Sequence, residues 1–190
     1  MSAILPIENK YSDPLKTEKI NGVIYNMAGG TSKHAEAVSN LIIFLGAFFL
    51  RKHCKPFTSE LDIHLDEDNT YRPDISVICD FSKMKEDGYH GAPEMVIEVL
   101  SPSTVKRDRV DKFNCYQMYG VKEYLLVNPE YLTIEQYVLT NGQFKLQAIR
   151  FNHEFNSTIF NDLVFNPNII FEYRDESTAP ALKSGACDEN

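Results

Sequence analysis

The stretch from Met95 to Leu100 is apolar at every position except Glu98. A strand that is apolar on both faces is typical of the centre of a sheet covered on both sides. An ionised carboxylate in such surroundings costs several kcal/mol unless a positive group accompanies it. The sequence therefore predicts either a buried salt bridge or a functional site at Glu98.

A long helix is predicted after Gly29 and Gly30, with Ser32 as its N-cap and Glu36 in its first turn. Its apolar residues recur at spacings of three and four, which is the helical period. The half from Leu41 to Leu50 is apolar nearly all round. Such a helix lies in the core or is shared with a second subunit.

The remaining elements are predicted from alternation and turn residues. A second helix should begin at Ser103 or Thr104 and run to about Tyr119, with Gly120 ending it. We expect a loop from Phe81 to Gly91. The predicted strands are a hairpin over Lys19–Met27, then Thr58–Leu65, Asp74–Cys79, Met95–Leu100, Glu123–Val127, Leu132–Leu139 and Gln143–Ile149. This order indicates a mixed α/β (α+β) fold built on one sheet.

The chain has 190 residues, of which 43% are hydrophobic, as in an ordinary soluble domain. We predict one domain over residues 1–174 and a disordered acidic tail over residues 175–190. The net charge of −8 argues against a protein that coats nucleic acid with a broad basic face. An enzyme that holds nucleic acid locally through metal ions remains compatible with it.

Several features favour a cytoplasmic protein. The four cysteines form no CxxC pair, so we expect reduced thiols. We find no signal-peptide pattern in residues 1–13. The longest apolar run, Leu41–Leu50, has ten residues, whereas a membrane span needs about 20. We therefore expect no membrane association, and no Walker loop or GxGxxG motif supports a nucleotide cofactor.

Asp74 follows a proline, Pro73, at the start of a predicted strand. Proline restricts the residue before it to extended conformations, so the carboxylate enters the strand at a defined place. Asp74 is either a turn residue that accepts local hydrogen bonds or part of a site.

The helix after Pro102 carries Asp108 and Lys112 on a stripe with Val105, Tyr116 and Tyr119. The two charges could simply pair on the surface, four residues apart. Because the helix follows the Glu98 strand directly, Lys112 could also reach Glu98. Two carboxylates on adjacent strands beside a lysine are typical of metal-dependent phosphodiesterases, and oxygen ligands suit Mg²⁺.

These segments together resemble a known family. Residues 72–77 read RPDISV, residues 97–103 read IEVLSPS, and Arg107-Asp108-Arg109 is followed by Lys112 and Tyr116; residues 120–125 then read GVKEYL, with Asn128-Pro129 after them. The set is similar to the Uma-type restriction endonuclease family of the PD-(D/E)XK nuclease superfamily. The resemblance covers about residues 18–172, including Ser32 to His34.

The resemblance implies a restriction-endonuclease-like fold, a central mixed sheet flanked by helices, assembled as a homodimer. It implies that Asp74 and Glu98 hold the metal, with the backbone carbonyl of Val99 as a further ligand. Leu100 stands where the superfamily has a lysine, and Lys112 would take over that role. Glu60 resembles an additional metal-binding acid, with an exposed edge-strand residue as the alternative. His34 also matches a family position, but we expect it to be a hydrogen-bonded packing residue.

Two functions follow from these residues. The first is an endonuclease that uses Mg²⁺ or Mn²⁺ to hydrolyse phosphodiester bonds of DNA, with Asp74, Glu98 and Lys112 as catalytic residues. The second is a catalytically inactive nuclease-fold dimer that binds protein or nucleic acid. Leu100 and the net charge favour the second, and the joint presence of the three catalytic candidates favours the first.

Overall fold

The computed structural model describes residues 16–27, 29–151 and 153–171. In chain order its elements begin with β1 (Thr17–Ile20), β2 (Val23–Asn26), α1 (Ser32–Phe49), β3 (Lys55–Thr58), β4 (Ile63–His64), β5 (Thr70–Tyr71), β6 (Ile75–Ile78), a 3-10 turn (Phe81–Lys83), β7 (Met84–Lys85), β8 (Gly88–His90) and β9 (Met95–Val99). They continue with α2 (Val105–Arg107), a π-helical segment (Asp108–Lys112), α3 (Phe113–Tyr119), β10 (Glu123–Asn128), β11 (Thr133–Thr140), β12 (Gln143–Arg150), β13 (Phe155–Asn156), β14 (Val164–Phe165) and α4 (Asn168–Phe171). The predicted tail over residues 175–190 lies outside the described residues.

The predicted mixed α+β fold is confirmed, but its strands form two mixed sheets of six strands instead of one. The central sheet has the order β12-β11-β10-β9-β6-β3, and β9 and β10 are its parallel pair. The small sheet has the order β2-β1-β5-β4-β8-β7, and β4 and β8 are its parallel pair. A further pair, β13 and β14, stands apart from both sheets.

Strand β9 is buried on both faces, as its apolar sequence predicts. Ile97 and Val99 belong to the core that α1 covers through Leu41 and Leu45. Val96 and Leu100 belong to the core on the opposite face, together with Tyr116 of α3. Because side chains alternate along a strand, Glu98 points to the same side as Val96, toward the helical stretch 105–119.

Two predicted segments differ from the structure. The alternating stretch Thr58–Leu65 is not one strand, because β3 ends at Thr58 and pairs with β6, whereas β4 begins at Ile63 and pairs with β5 and β8. The predicted loop Phe81–Gly91 contains a 3-10 turn and the β7–β8 hairpin. In the first segment, pairing with distant strands decides where each element ends, whereas the second forms a local hairpin whose strand β8 also pairs with β4.

The expectation of four reduced cysteines is wrong for one pair, since Cys54 and Cys79 form a disulfide. In the antiparallel pair of β3 and β6, Lys55 lies opposite Ile78. The residues just outside this register are Cys54 and Cys79, so strand pairing places them side by side. Cys115 is a buried free thiol, and Cys187 lies outside the described residues.

The ends of the helices follow their capping residues, with one correction. The N-cap of α1 is Thr31, not Ser32, and its side chain accepts a hydrogen bond from the backbone N–H of His34. Gly120 ends α3 in the left-handed conformation, as predicted. Within the described part of the chain, no helix is long and apolar enough to cross a membrane.

Candidate active site

A narrow cavity of about 60 Å³ lies where the two sheets meet the start of α1 and the helical stretch after β9. This volume has room for an ion with part of its water shell. Its lining consists of Glu18, Met27, Gly30, His34, Arg72, Asp74, Glu98, Ser101, Thr104, Arg107, Asp108 and Lys112. The three predicted catalytic residues, Asp74, Glu98 and Lys112, are therefore brought together in one cavity.

Asp74 lies just before β6 and reaches across to β9. Its Oδ2 accepts a hydrogen bond from the backbone N–H of Val99 at 2.8 Å and lies 3.1 Å from His34 Nε2. The N–H and C=O of a residue in a strand point to the same side. The Val99 carbonyl therefore faces the same edge as the Asp74 carboxylate.

Glu98 is 3% exposed and is held by two donors from the helical stretch. Its Oε1 accepts from Lys112 Nζ at 2.9 Å and from the Tyr116 hydroxyl at 3.0 Å. Its Oε2 lies 3.4 Å from the backbone nitrogen of Asp74, a long contact for a hydrogen bond. Burial raises the pKa of Glu98 well above its ordinary value, and the charge of Lys112 offsets this in part.

Lys112 is the cation at the centre of the cavity. Its Nζ lies 2.8 Å from Glu18 Oε1, 2.9 Å from Glu98 Oε1 and 3.8 Å from Asp108 Oδ1. Burial by itself lowers the pKa of this ammonium group, but the carboxylates of Glu98, Glu18 and Asp108 outweigh it and raise the pKa well above its ordinary value. Lys112 is therefore charged whenever these carboxylates are.

The π-helical segment places both of its inward-facing residues in the cavity. Asp108 and Lys112 are its two buried residues, 2% and 4% exposed. A π-helical turn is rare and occurs frequently at functional sites, because it is wider than an α-helical turn. Here it separates α2 from α3, and Tyr124 of β10 donates a hydrogen bond to the Asp108 carbonyl.

The cavity brings several acidic and basic side chains together. Four carboxylates line it, those of Glu18, Asp74, Glu98 and Asp108. Two basic side chains pair with these carboxylates: Lys112 contacts Glu18, and Arg107 lies 3.8 Å from Glu18. Arg72 pairs with Asp62 instead. Burial also raises the pKa of Asp108, whose Oδ1 is buried without a hydrogen-bond partner. Oxygen ligands, among them a buried carboxylate oxygen without a hydrogen-bond partner, fit a hard divalent cation.

His34 makes the expected hydrogen bond, to Asp74, and it also lines the cavity. Its hydrogen bond to Asp74 raises the pKa of the imidazole, and burial opposes that shift. A charged His34 adds a positive partner for Asp74 across 40 positions of sequence. The sequence showed that His34 matches a family position, but it did not show that Asp74 is the hydrogen-bond partner of His34.

Glu18 is a site residue that the sequence analysis missed. It is 3% exposed, and its Oε1 also accepts the backbone N–H of Arg72 at 3.0 Å. Glu18 and Ile20 are the two buried positions of β1. A glutamate that alternates with a core isoleucine in a short strand was the available signal.

Glu60 does not reach the cavity. Its side chain is 73% exposed and pairs with Lys16, whose hydrogen bond lowers the pKa of Glu60. Leu100, at the position of the superfamily lysine, is 5% exposed and packs in the core beside Tyr116. Of the basic run at 106–109, Arg107 lines the cavity, whereas Arg109 pairs with Glu135.

Comparison with known proteins identifies the family. The model of the Uma2 family, described as "Putative restriction endonuclease", matches residues 5–168. The chain belongs to the Uma2 family. This confirms the resemblance seen in the sequence motifs.

Two relatives of this Uma2 chain come from Synechocystis sp. The uncharacterized protein slr1290 is 34% identical over 124 residues, which cover 64% of this chain and 65% of slr1290. The chain thus spans just under two thirds of that relative's length. The uncharacterized protein sll1609 is 29% identical over 126 residues, covering 64% of this chain and 71% of sll1609.

A solved structure confirms the fold of this Uma2 chain. The crystal structure of a "putative nuclease belonging to DUF820" from Anabaena variabilis superposes with a TM-score of 0.68. The match covers 82% of this chain and 89% of the Anabaena chain at 20% identity. The chain therefore has the fold of that protein.

Proposed function

We propose that this Uma2 protein is an endonuclease that uses Mg²⁺ or Mn²⁺ to hydrolyse phosphodiester bonds of DNA. The observation that carries the proposal is the convergence of Asp74, Glu98 and Lys112 on one cavity lined by four carboxylates. DNA is the proposed substrate because the family description names restriction endonucleases.

The residues that would hold the ion are Asp74 and Glu98, through their carboxylates, and Val99, through its backbone carbonyl. When bound, a divalent ion would polarise the scissile phosphate and lower the pKa of an attacking water. Asp74 is oriented for this role by its hydrogen bonds to Val99 and His34. Tyr116 donates a hydrogen bond to Glu98 Oε1, the same oxygen that Lys112 contacts.

Lys112 is the residue proposed to contact the reacting phosphate. Its ammonium group carries three protons, and two of them are directed at Glu18 and Glu98. The third can donate to a phosphate oxygen or to the attacking water and stabilise the charge that develops there. Glu18 is then a positioning residue, because it acts through Lys112.

The alternative, a nuclease fold that binds a partner without cutting, rests on Leu100 and on the net charge of −8. The ammonium group of Lys112 lies within hydrogen-bond distance of Glu98 although it comes from the helical stretch. This contact supports a catalytic function, because Lys112 supplies the positive charge that the superfamily lysine would supply at position 100.

A plasmid cleavage assay tests the proposal. We expect wild-type protein to nick or linearise supercoiled DNA with Mg²⁺ or Mn²⁺ and to be inactive in EDTA. Asp74→Asn, Glu98→Gln and Lys112→Met should each abolish cleavage. Asp111→Asn is the matched control, because Asp111 is an exposed residue of the same π-helical segment.

Metal binding, measured by calorimetry on the same variants, separates the two functions. Glu98→Gln should lose Mg²⁺ or Mn²⁺ binding, whereas Lys112→Met should retain it if circular dichroism shows that it is folded. Metal binding by the wild type without cleavage of DNA would favour the binding module. Full cleavage by Asp74→Asn and Glu98→Gln would overturn the assignment of the site.

A further inference from the structure

A second group of metal-binding side chains lies on the small sheet. His64 of β4 and His90 of β8 are directly opposite each other in the parallel pair, and their rings stack at 4.6 Å. Asp87 lies in the turn between β7 and β8. One ligand atom from each of the three residues lies within 4.8 Å of the others. These three residues are absent from the lining of the candidate active-site cavity.

The β7–β8 turn approaches His64 closely because residue 88 is glycine. Gly88 has a φ of +143°, and a Cβ added there would lie 2.5 Å from the Asp62 carbonyl oxygen and 3.0 Å from the His64 ring. The backbone N–H of Tyr89 donates to that same carbonyl at 2.8 Å. This close contact places Asp87 beside both imidazoles.

Hydrogen bonds occupy both nitrogens of His64 and Nε2 of His90, so these bonds must rearrange before an ion can bind. His64 Nδ1 lies 3.0 Å from the Thr70 hydroxyl, and His64 Nε2 lies 3.0 Å from the Asp87 carbonyl oxygen. A carbonyl oxygen only accepts, so Nε2 carries the proton here. A hydroxyl both donates and accepts. The proton can therefore move to Nδ1, with Thr70 as acceptor, which frees Nε2 for a metal and keeps the bond that orients the ring.

We propose that His64, Asp87 and His90 bind a divalent transition-metal ion of the zinc class, at a site separate from the proposed catalytic one. Two imidazoles and a carboxylate suit Zn²⁺, Cu²⁺ or Ni²⁺ rather than Mg²⁺. Tetrahedral Zn²⁺ requires its ligand atoms to be roughly 3.4 Å apart. His90 Nε2 and Asp87 Oδ1 are 2.9 Å apart, and rotation of the Asp87 side chain, which is 65% exposed, adjusts the remaining separations.

The surroundings of the site are open and acidic. The adjoining surface depression is lined by His64, Leu65, Asp66, Glu67, Thr70 and His90. Solvent water can complete the coordination from this side. A bound ion would fasten β4 to the β7–β8 hairpin.

Calorimetric titration with Zn²⁺ tests this site. We expect His64→Gln and His90→Gln each to bind one zinc ion fewer per chain than the wild type. His153→Gln is the matched control, since His153 is exposed and remote in sequence, and it should bind as the wild type does. Asp74→Asn should retain the site, which separates it from any zinc taken up by the catalytic cavity.

Thermal unfolding gives an independent measurement on the same proteins. Zn²⁺ should raise the melting temperature of the wild type and of Asp74→Asn, because an ion that binds the folded state stabilises it. This increase should be lost in His90→Gln. Unchanged zinc stoichiometry in both His64→Gln and His90→Gln, or no zinc binding by the wild type, would overturn the proposal.

Discussion

Lys112 is a buried cation shared by three acidic side chains. It contacts Glu18 and Glu98 directly and lies 3.8 Å from Asp108. Removal of one partner from a buried ion pair is more costly than replacement of the whole pair, since it leaves a buried charge uncompensated. The stability of the metal-free protein therefore depends strongly on this one side chain.

We predict that Lys112→Met lowers the free energy of unfolding in EDTA by about 3–5 kcal/mol. Urea denaturation at neutral pH measures this change. Lys106→Met is the matched control, because Lys106 is exposed on the same helical stretch, and it should stay within about 0.5 kcal/mol of the wild type. Adding Glu98→Gln to Lys112→Met should recover part of the loss; a wild-type value for Lys112→Met would contradict the charge balance described here.

Glu98 gives the metal-free protein a pH dependence of definite sign. The pKa of Glu98 is raised in the folded state, whereas the unfolded chain has the ordinary value of 4.5. As the pH rises above 4.5, the unfolded chain therefore loses this proton while the folded protein still holds it. The contribution of Glu98 to stability therefore decreases as pH rises through this window. Asp108 and His34, whose pKa values are also raised, act in the same direction.

We predict that Glu98→Gln melts at the same or a higher temperature than the wild type in EDTA and that its advantage grows as the pH rises above 4.5, the ordinary pKa of Glu98. The amide oxygen still accepts from Lys112 and Tyr116, so the substitution removes the charge and keeps the acceptor. Melting curves of both proteins at several pH values test this. A temperature difference that is constant with pH would show that Glu98 titrates normally.

At the scale of elements, the geometry of the site depends on where the helical stretch 105–119 ends as well as on the side chains of that stretch. Gly120 terminates α3 with a φ of 86°, and its backbone N–H bonds to the carbonyls of Tyr116 and Gln117. The chain then enters β10, which pairs in parallel with β9. This single turn sets the position of the helix over Glu98.

We predict that Gly120→Ala destabilises the protein by about 1–2 kcal/mol. An added Cβ would meet nothing within 4 Å, so the cost comes from the left-handed backbone alone. Gly120→Asn should cost less, because asparagine tolerates this conformation better. Urea denaturation of the two variants gives the comparison, and equal losses would point to a steric cause instead.

At the scale of the whole molecule, the predicted homodimer needs an apolar surface that the monomer leaves uncovered. That prediction rested on the apolar half of α1, from Leu41 to Leu50. Part of this surface is buried within the monomer, because the ring of Phe44 packs on that of Phe165 with 5.0 Å between their centroids. Ile43 of α1 remains 70% exposed. The outer strand β12 and the residue after it expose Leu146, Ile149 and Phe151, by 52%, 57% and 49%.

We predict a dimer in solution at micromolar concentration, measured by light scattering. Since β12 is an edge of the central sheet, it offers unpaired backbone groups together with its apolar side chains. Ile149→Lys should therefore produce monomers, and Ile43→Lys tests the helix face in parallel. A monomeric wild type would contradict the prediction, and a monomeric Ile43→Lys would move the interface to α1.

Much of the site could be predicted because its signals are local. Asp74 follows Pro73 before a strand, Glu98 interrupts an apolar run, and Lys112 lies on the helix that follows that run. Each of these signals depends on residues within a few positions of each other, where the periods of strand and helix indicate which side chains share a face. The contact between Lys112 and Glu98 was predictable because the helix follows the strand directly.

Tertiary structure alone decided which distant residues complete the site. Glu18 meets Arg72 across 54 positions, and His34 meets Asp74 across 40. The division of Thr58–Leu65 between two sheets and the Cys54–Cys79 disulfide depend likewise on pairing between strands far apart in sequence. By itself, the amino-acid sequence determined the local elements and the face on which each candidate lies. Periodicity specifies which face a residue lies on but carries no information on what that face packs against. Packing of the two sheets therefore decided that three carboxylates, those of Glu18, Glu98 and Asp108, share one lysine.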